Sequence, residues 1–245
     1  DEMGLGKTMQ TLALLQKVKE EQPASDTHRT SLIVMPTSLI YNWQNEAAKF
    51  APALRILVYT GSSRNKNIAR FANYDVVFTT YGIVRIDADL LKETYFDYII
   101  LDESQNIKNA ASKSFKAVQT LKSKNKLILS GTPVENSVSD LWAQMSFINP
   151  GLLGTEHGFQ TNFVIPIERK KDEEQAQRLQ ALIKPFILRR TKNLVATELP
   201  PKTEHLFYCK MSDEQSEYYE KVKSEYRNEL LQSLENGTFN KLEFK

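Results

Sequence analysis

The sequence predicts an α/β fold: a parallel sheet with helices on both faces, followed by a mainly helical C-terminal part. Three observations predict it. A Gly-x-Gly-Lys-Thr stretch opens directly onto a helical pattern. Short, β-branched apolar runs then alternate with helical patterns as far as Pro150. Beyond Pro150 the alternation stops and charge-dense helical patterns take over. Short buried strands separated by helices imply βαβ units, and right-handed crossovers place helices on both faces of the sheet.

The elements follow in order. From Thr8 to about Glu20, Leu12, Leu14, Leu15 and Val18 recur at helical spacing. Strands are expected at Ser31–Met35, Leu54–Tyr59, Asp75–Thr79, Tyr98–Leu101 and Lys126–Leu129, with helices near Leu39–Phe50, Asn67–Phe71, Ser112–Leu121 and Val138–Ile148. After Pro150, Glu168–Glu174 is charge-dense and Glu173–Lys184 reads as a helix ended by Pro185. Leu199-Pro200-Pro201-Lys202 is a rigid break, and Leu206–Tyr208 reads as a short strand. Asp213–Leu234 is a long charged helix with an apolar and aromatic stripe (Tyr218, Tyr219, Val222, Tyr226, Leu230, Leu234), expected to be a packing face. This divides the chain into residues 1–150, holding the sheet, and residues 151–245.

The chemistry begins at the first residues, Asp1-Glu2-Met3-Gly4-Leu5-Gly6-Lys7-Thr8. Gly4 and Gly6 let the backbone turn tightly. The amides of Gly4, Leu5 and Gly6, with the positive end of the following helix, make an anion cradle. Lys7 can reach β- and γ-phosphates, and the Thr8 hydroxyl can ligate Mg²⁺. In the G-x-x-x-x-G-K-[ST] pattern the first glycine falls at position 1, which is Asp1 here. A phosphate loop ordinarily follows the first strand of such a sheet, so the sequence reads as opening inside a domain.

Two further strand ends carry functional groups. Tyr98–Leu101 runs into Asp102-Glu103-Ser104-Gln105, and ligand chemistry in parallel sheets gathers at carboxyl ends. Asp102 is placed to hold Mg²⁺, and Glu103 to orient and deprotonate an attacking water. Leu127–Leu129 leads into Ser130-Gly131-Thr132-Pro133, whose hydroxyls can bond to the acidic motif and sense the γ-phosphate. Coupling is therefore expected of Gln105, Ser130 and Thr132. ATP and Mg²⁺ are the cofactors these groups call for.

Composition bounds what remains. The chain has 245 residues, 41% apolar and 25% charged, ordinary for a globular protein. No apolar run approaches the ~18 residues of a membrane span. Cys209 is the only cysteine, which fits an intracellular, reducing compartment: cytoplasm or nucleoid in a bacterium, nucleus in a eukaryote. A net charge of +2 leaves any nucleic-acid contact to local patches. His28, His157 and His205 lack metal-ligand spacing.

In this order, these blocks resemble helicase superfamily II, and more closely the Swi/Snf-type ATPases, translocases of double-stranded DNA. Asp1–Thr8 looks like motif I. Pro36-Thr37-Ser38-Leu39 with Trp43 and Glu46 looks like motif Ia, and Thr79-Thr80-Tyr81 like motif Ib. Asp102–Gln105 looks like motif II in a Ser-containing variant. Ser130–Pro133 looks like motif III, extended from Asn136 to Trp142. Pro185–Lys192 and Leu199–Lys202 resemble segments that follow the first lobe. The wording looks most like the bacterial branch.

The resemblance implies a RecA-like lobe at residues 1–150, then a helical insertion and the approach to a second lobe. It also implies DNA-dependent ATP hydrolysis with translocation on double-stranded DNA, acting on DNA-bound protein complexes and not on membranes. The phosphoryl-stabilising arginines belong to the second lobe, so this chain alone is expected to be nearly inactive. Thr37, Ser38 and Thr80 would meet the DNA backbone, independently of base sequence. Arg189, Arg190 and Lys192 form the densest basic cluster, read either as phosphate contacts or as ion pairs with acids of the insertion. Trp43 and Trp142 read as core residues. A strand-separating superfamily II helicase and a nucleotide-binding adaptor without turnover remain open as alternatives.

Overall fold

The computed structural model describes residues 1–21, 30–131, 137–198, 200 and 203–235. Two compact units divide the chain, Asp1–Glu198 and Leu199–Lys245.

The first unit is built on a five-stranded, wholly parallel sheet. Helix α1 (Lys7–Glu21) precedes β1 (Ser31–Met35), and α2 (Ile40–Phe50), β2 (Ile56–Val58) and β3 (Val76–Thr80) follow. Next come α3 (Tyr81–Ile86), α4 (Ala88–Leu91), β4 (Tyr95–Leu101), α5 (Lys113–Gln119), β5 (Lys122–Ile128) and α6 (Val138–Ile148). The strand order is β2-β3-β1-β4-β5. In register, Met35 lies beside Thr80 and Val34 beside Leu101.

Side-chain alternation on β1 separates the two faces. Leu32 and Val34 join Ile99 and Leu101 in a core closed by Val84 of α3, Phe115 and Val118 of α5 and Phe147 of α6. Ile33 and Met35 join Phe78 and Ile100 in a second core closed by Leu12 and Leu15 of α1 and Trp43 of α2. β1 and β3 are buried at every position, which is why they read as unbroken apolar runs.

α6 has two apolar sides. Ala143 and Phe147 face the sheet. Leu141 and Met145 meet Leu153, Phe159, Phe163 and Leu179 in a third core. That core gathers α7 (Glu156–Phe159), a π-helix (Gln160–Arg169) and α8 (Glu173–Ile183). Asp172 caps α8 by accepting from the Gln175 N–H at 3.1 Å. A short helix α9 (Lys192–Val195) ends the unit's helices.

In the second unit, α10 (Asp213–Glu235) is the long helix expected. Two expectations are corrected here. Leu206–Tyr208 is not a strand: it is irregular, and its side chains are exposed. Three alternating residues with no strand beside them have nothing to pair with. The aromatic stripe on α10 is not a packed face either, since Tyr218, Tyr219 and Tyr226 are exposed. Among its described residues this unit has only one helix, so the stripe has no second element to close on.

Candidate nucleotide site at the carboxyl edge of the sheet

The loop before α1 lies by the turns at the carboxyl ends of β1, β3, β4 and β5. Gly4 and Gly6 have φ of +83° and +73°, a left-handed conformation that a side chain would strain. Lys7 begins α1, and its ammonium donates to the carbonyls of Asp1 (3.1 Å) and Glu2 (3.4 Å). No carboxylate neutralises it among the described residues. Thr8 follows one position into the helix.

The turn after β5 comes close to this loop. A β-carbon added at Gly131 would sit 3.2 Å from Met3 Cγ and 3.9 Å from Lys7 Nζ. Any larger residue would make the Met3 side chain give by a few tenths of an ångström. Ser130 is buried beside it; Thr132 and Pro133 lie outside the described residues.

The turn after β4 carries the acids. Asp102 is buried, and both its oxygens are engaged: Trp43 Nε1 donates to Oδ2 and the Glu103 amide to Oδ1, each at 2.9 Å. The Tyr81 hydroxyl donates to the Asp102 carbonyl at 2.8 Å. Burial pushes the Asp102 carboxyl above its usual range, while the Trp43 and Glu103 donors and the charge of Lys7 pull the other way. Lys7 and Asp102 thus feel each other across the edge.

Glu103 is held at φ +48°. A non-glycine residue there is uncommon, and such strain clusters at functional sites. Gln105 Nε2 donates to Glu103 Oε2 at 2.9 Å and fixes the carboxylate. Beneath them Ser104 is fully buried, and its hydroxyl has no protein partner among the described residues.

Of the residues expected to touch DNA, Thr37 and Ser38 are exposed in the turn after β1. Thr80 is buried, and its hydroxyl accepts from the Ile83 N–H at 3.2 Å, capping α3. Its hydroxyl is therefore used within the fold. The basic cluster is a finding of its own. The Arg190 guanidinium pairs with Asp1, and the Lys192 backbone amide donates to Glu2, so both contacts are with acids of the phosphate loop.

Sequence reasoning missed the second role of Trp43 and Tyr81. Trp43 is a core residue as expected, 1% exposed, and also a hydrogen-bond donor to Asp102. Trp142 is half-buried against Phe115, with Nε1 donating to the Gly154 carbonyl at 3.2 Å. A cleft of about 320 Å³ runs from Asp1, Lys7, Ser130 and Arg190 along β5. Leu14, Leu127, Leu141 and Met145 form an apolar wall, while Lys7 and Arg190 line the same cleft.

The donor set suits a magnesium-bound triphosphate. It has backbone amides in a tight loop, an ammonium without a carboxylate partner, and a carboxylate at the carboxyl edge.

Comparison with known proteins agrees with this geometry. A model of the SNF2-related domain matches residues 1–243. The chain is 43% identical over 227 residues to YwqA of Bacillus subtilis, covering 91% of this chain and 24% of that protein. It is 42% identical to the TATA-binding protein-associated factor mot1 of Schizosaccharomyces pombe, covering 87% and 12%. The SWI2/SNF2 ATPase core of Sulfolobus solfataricus, solved in complex with double-stranded DNA, superposes with a TM-score of 0.73 at 43% identity. That match covers 96% of this chain and 48% of the Sulfolobus chain. The chain thus spans about a quarter of the Bacillus relative and less of the yeast one. With the family model matching nearly its whole length, the chain belongs to the SNF2-related domain family.

Proposed function

We propose that this chain is the ATP-binding first lobe of a DNA-dependent ATPase that translocates on double-stranded DNA and remodels protein–DNA complexes. Residues 1–150 serve as the lobe, and residues 151–245 as the helical insertion and the approach to a second lobe. The observation that carries the reading is the convergence of Lys7, Asp102–Glu103 and Gly131 at one edge of the sheet.

Each residue then has a task. The amides of Gly4, Leu5 and Gly6 hold phosphate oxygens, and Lys7 turns from two loop carbonyls to the β- and γ-phosphates. Thr8 and Asp102 would hold Mg²⁺, which would offset the phosphate charge. Glu103, steadied by Gln105, takes a proton from the attacking water. Ser130 and Thr132 are assigned to sensing the γ-phosphate.

The DNA-facing turns lead directly to this site. Thr37 and Ser38 precede α2, which carries Trp43; Thr80 precedes Tyr81. Both aromatics bond to Asp102. A phosphate backbone lying on these turns would therefore bear on the metal-binding acid through two hydrogen bonds. Occupation by double-stranded DNA in the Sulfolobus relative supports the partner. No described helix is long and apolar enough to cross a membrane.

The test separates binding from chemistry. In the full protein, Glu103→Gln should lower ATP turnover by at least ~10²-fold, the low end for loss of a general base, and leave ATP affinity near wild type. Unchanged turnover would remove Glu103 from the mechanism.

A further inference from the structure

We propose that Lys192 is a polyphosphate-binding residue of the nucleotide site, brought to it by the segment that follows the helical insertion. The proposal rests on the nucleotide reading given above and adds a residue to it.

The segment is pinned to the phosphate loop. The Glu2 amide donates to the Arg190 carbonyl at 3.0 Å, and the Lys192 amide donates to Glu2 Oε2 at 2.6 Å. The Arg190 guanidinium grips the Asp1 carboxylate with two nitrogens, Nε at 3.0 Å, and the Arg190 amide donates to the same carboxylate at 3.1 Å. The fork geometry is the one guanidinium uses best. Main chain and side chains together therefore fix where Lys192 starts.

From there its side chain lies on the loop. A β-carbon at Gly4 would be 3.7 Å from Lys192 Cε and 3.8 Å from Nζ. The ammonium has no carboxylate within salt-bridge distance among the described residues. The nearby acids are already engaged, Asp1 by Arg190 and Glu2 by the Lys192 amide. Lys7 is bound only by carbonyls. Two ammonium groups thus flank one glycine-rich turn, neither of them balanced by an acid side chain. Like charges gathered at a loop with inward amides are relieved by a polyanion. The position also ties nucleotide occupancy to the insertion, since Phe186–Lys192 is the strand of chain that leaves it.

The test is a fluorescence titration of the full protein with N-methylanthraniloyl-ATP. It compares wild type, Lys192→Ala, Lys192→Arg and Lys7→Ala. Lys192→Ala should weaken binding ~10-fold, the loss of one charge-assisted hydrogen bond, and Lys192→Arg should restore most of it. Lys192 is exposed, so neither variant disturbs a core. If Lys7→Ala weakens binding while Lys192→Ala does not, the nucleotide site stands and the role of Lys192 falls. Tighter binding by Lys192→Ala overturns it too, by making the side chain an obstacle. If Lys7→Ala itself binds like wild type, the nucleotide site is wrong and this inference goes with it.

Discussion

Trp43 shows how one side chain can serve the core and the chemistry together. Its ring fills the space beside Phe78, edge-on at 5.9 Å between centroids, while its N–H supports Asp102. Removing that donor with Trp43→Phe lets burial act on Asp102 with less opposition, so its carboxyl should rise further. The acidic limb of the pH–rate profile of the full protein should then move to higher pH, and stability should fall by about 1–3 kcal/mol for an under-satisfied buried acceptor. A pH–rate series on the variant checks the direction; an unmoved limb would separate Trp43 from the site. Such a role is not legible in sequence. The spacing of Trp43 in α2 marks it as apolar and inward, but its reach to Asp102 depends on α2 lying against the end of β4. By contrast the local setting of Lys7, Asp102 and Glu103 is legible because it depends on immediate neighbours: glycines beside the lysine, and a strand ending at the acids.

At the scale of elements, two buried acids hold turns and helices in place. Asp87 lies between α3 and α4, and accepts from Arg64 Nε and the Tyr59 hydroxyl, each at 2.6 Å. Arg64 and Asp87 side chains are 6% and 4% exposed. Asp87→Ala strands the guanidinium in the interior and should cost about 3 kcal/mol, measured by urea unfolding. Asp75 joins the end of α1, through Lys19, to Arg55 beside β2. Burial pushes its carboxyl up, but hydrogen bonds from Arg55 and Lys19 outweigh it and hold the group at about 2. A carboxyl depressed below its ordinary 3.8 contributes stability at neutral pH and loses it as pH falls from about 4 towards 2. Asp75→Asn should flatten that part of the stability–pH curve. Its effect at pH 7 should be about 1–2 kcal/mol, because both partners reach solvent.

Elements with a strong period were readable. All five strands fall within a few residues of the apolar runs that announced them, and α6 falls on Val138–Ile148 itself. The segment 81–91 was not read as helix. Tyr81–Ile86 is only six residues long, too short to display a period, and it is set by the Thr80 cap. The π-helix at Gln160–Arg169 carries Pro166 inside it, which in sequence reads as a break. It forms because Phe163 and Val164 are drawn into the core under α6. The strand expected at Leu206–Tyr208 failed for the opposite reason: a local β preference without a neighbouring edge makes no strand.

For the whole molecule, the segment after α8 and the loop before α1 are joined through Arg190 and Lys192, so under the proposed function both would respond to the same nucleotide. The arginines that family resemblance assigns to a second lobe are not replaced by Arg190, which is committed to Asp1. Residues 1–245 alone should therefore hydrolyse ATP at background level, as expected where an arginine finger worth ~10³–10⁵ in rate is missing; a phosphate-release assay on the purified chain checks this. Under the proposed function, contact with DNA through backbone phosphates should make the coupled activity independent of base sequence and steeply weakened by salt.

The central claim is that the turns bearing Thr37, Ser38 and Thr80 pass DNA occupancy to an acid pair that hydrolyses ATP. Its most direct test is steady-state phosphate release by the full protein, with and without double-stranded DNA of mixed sequence. The account predicts a rate that rises severalfold or more with duplex and falls back as salt is raised. Hydrolysis at one rate with and without duplex would contradict it.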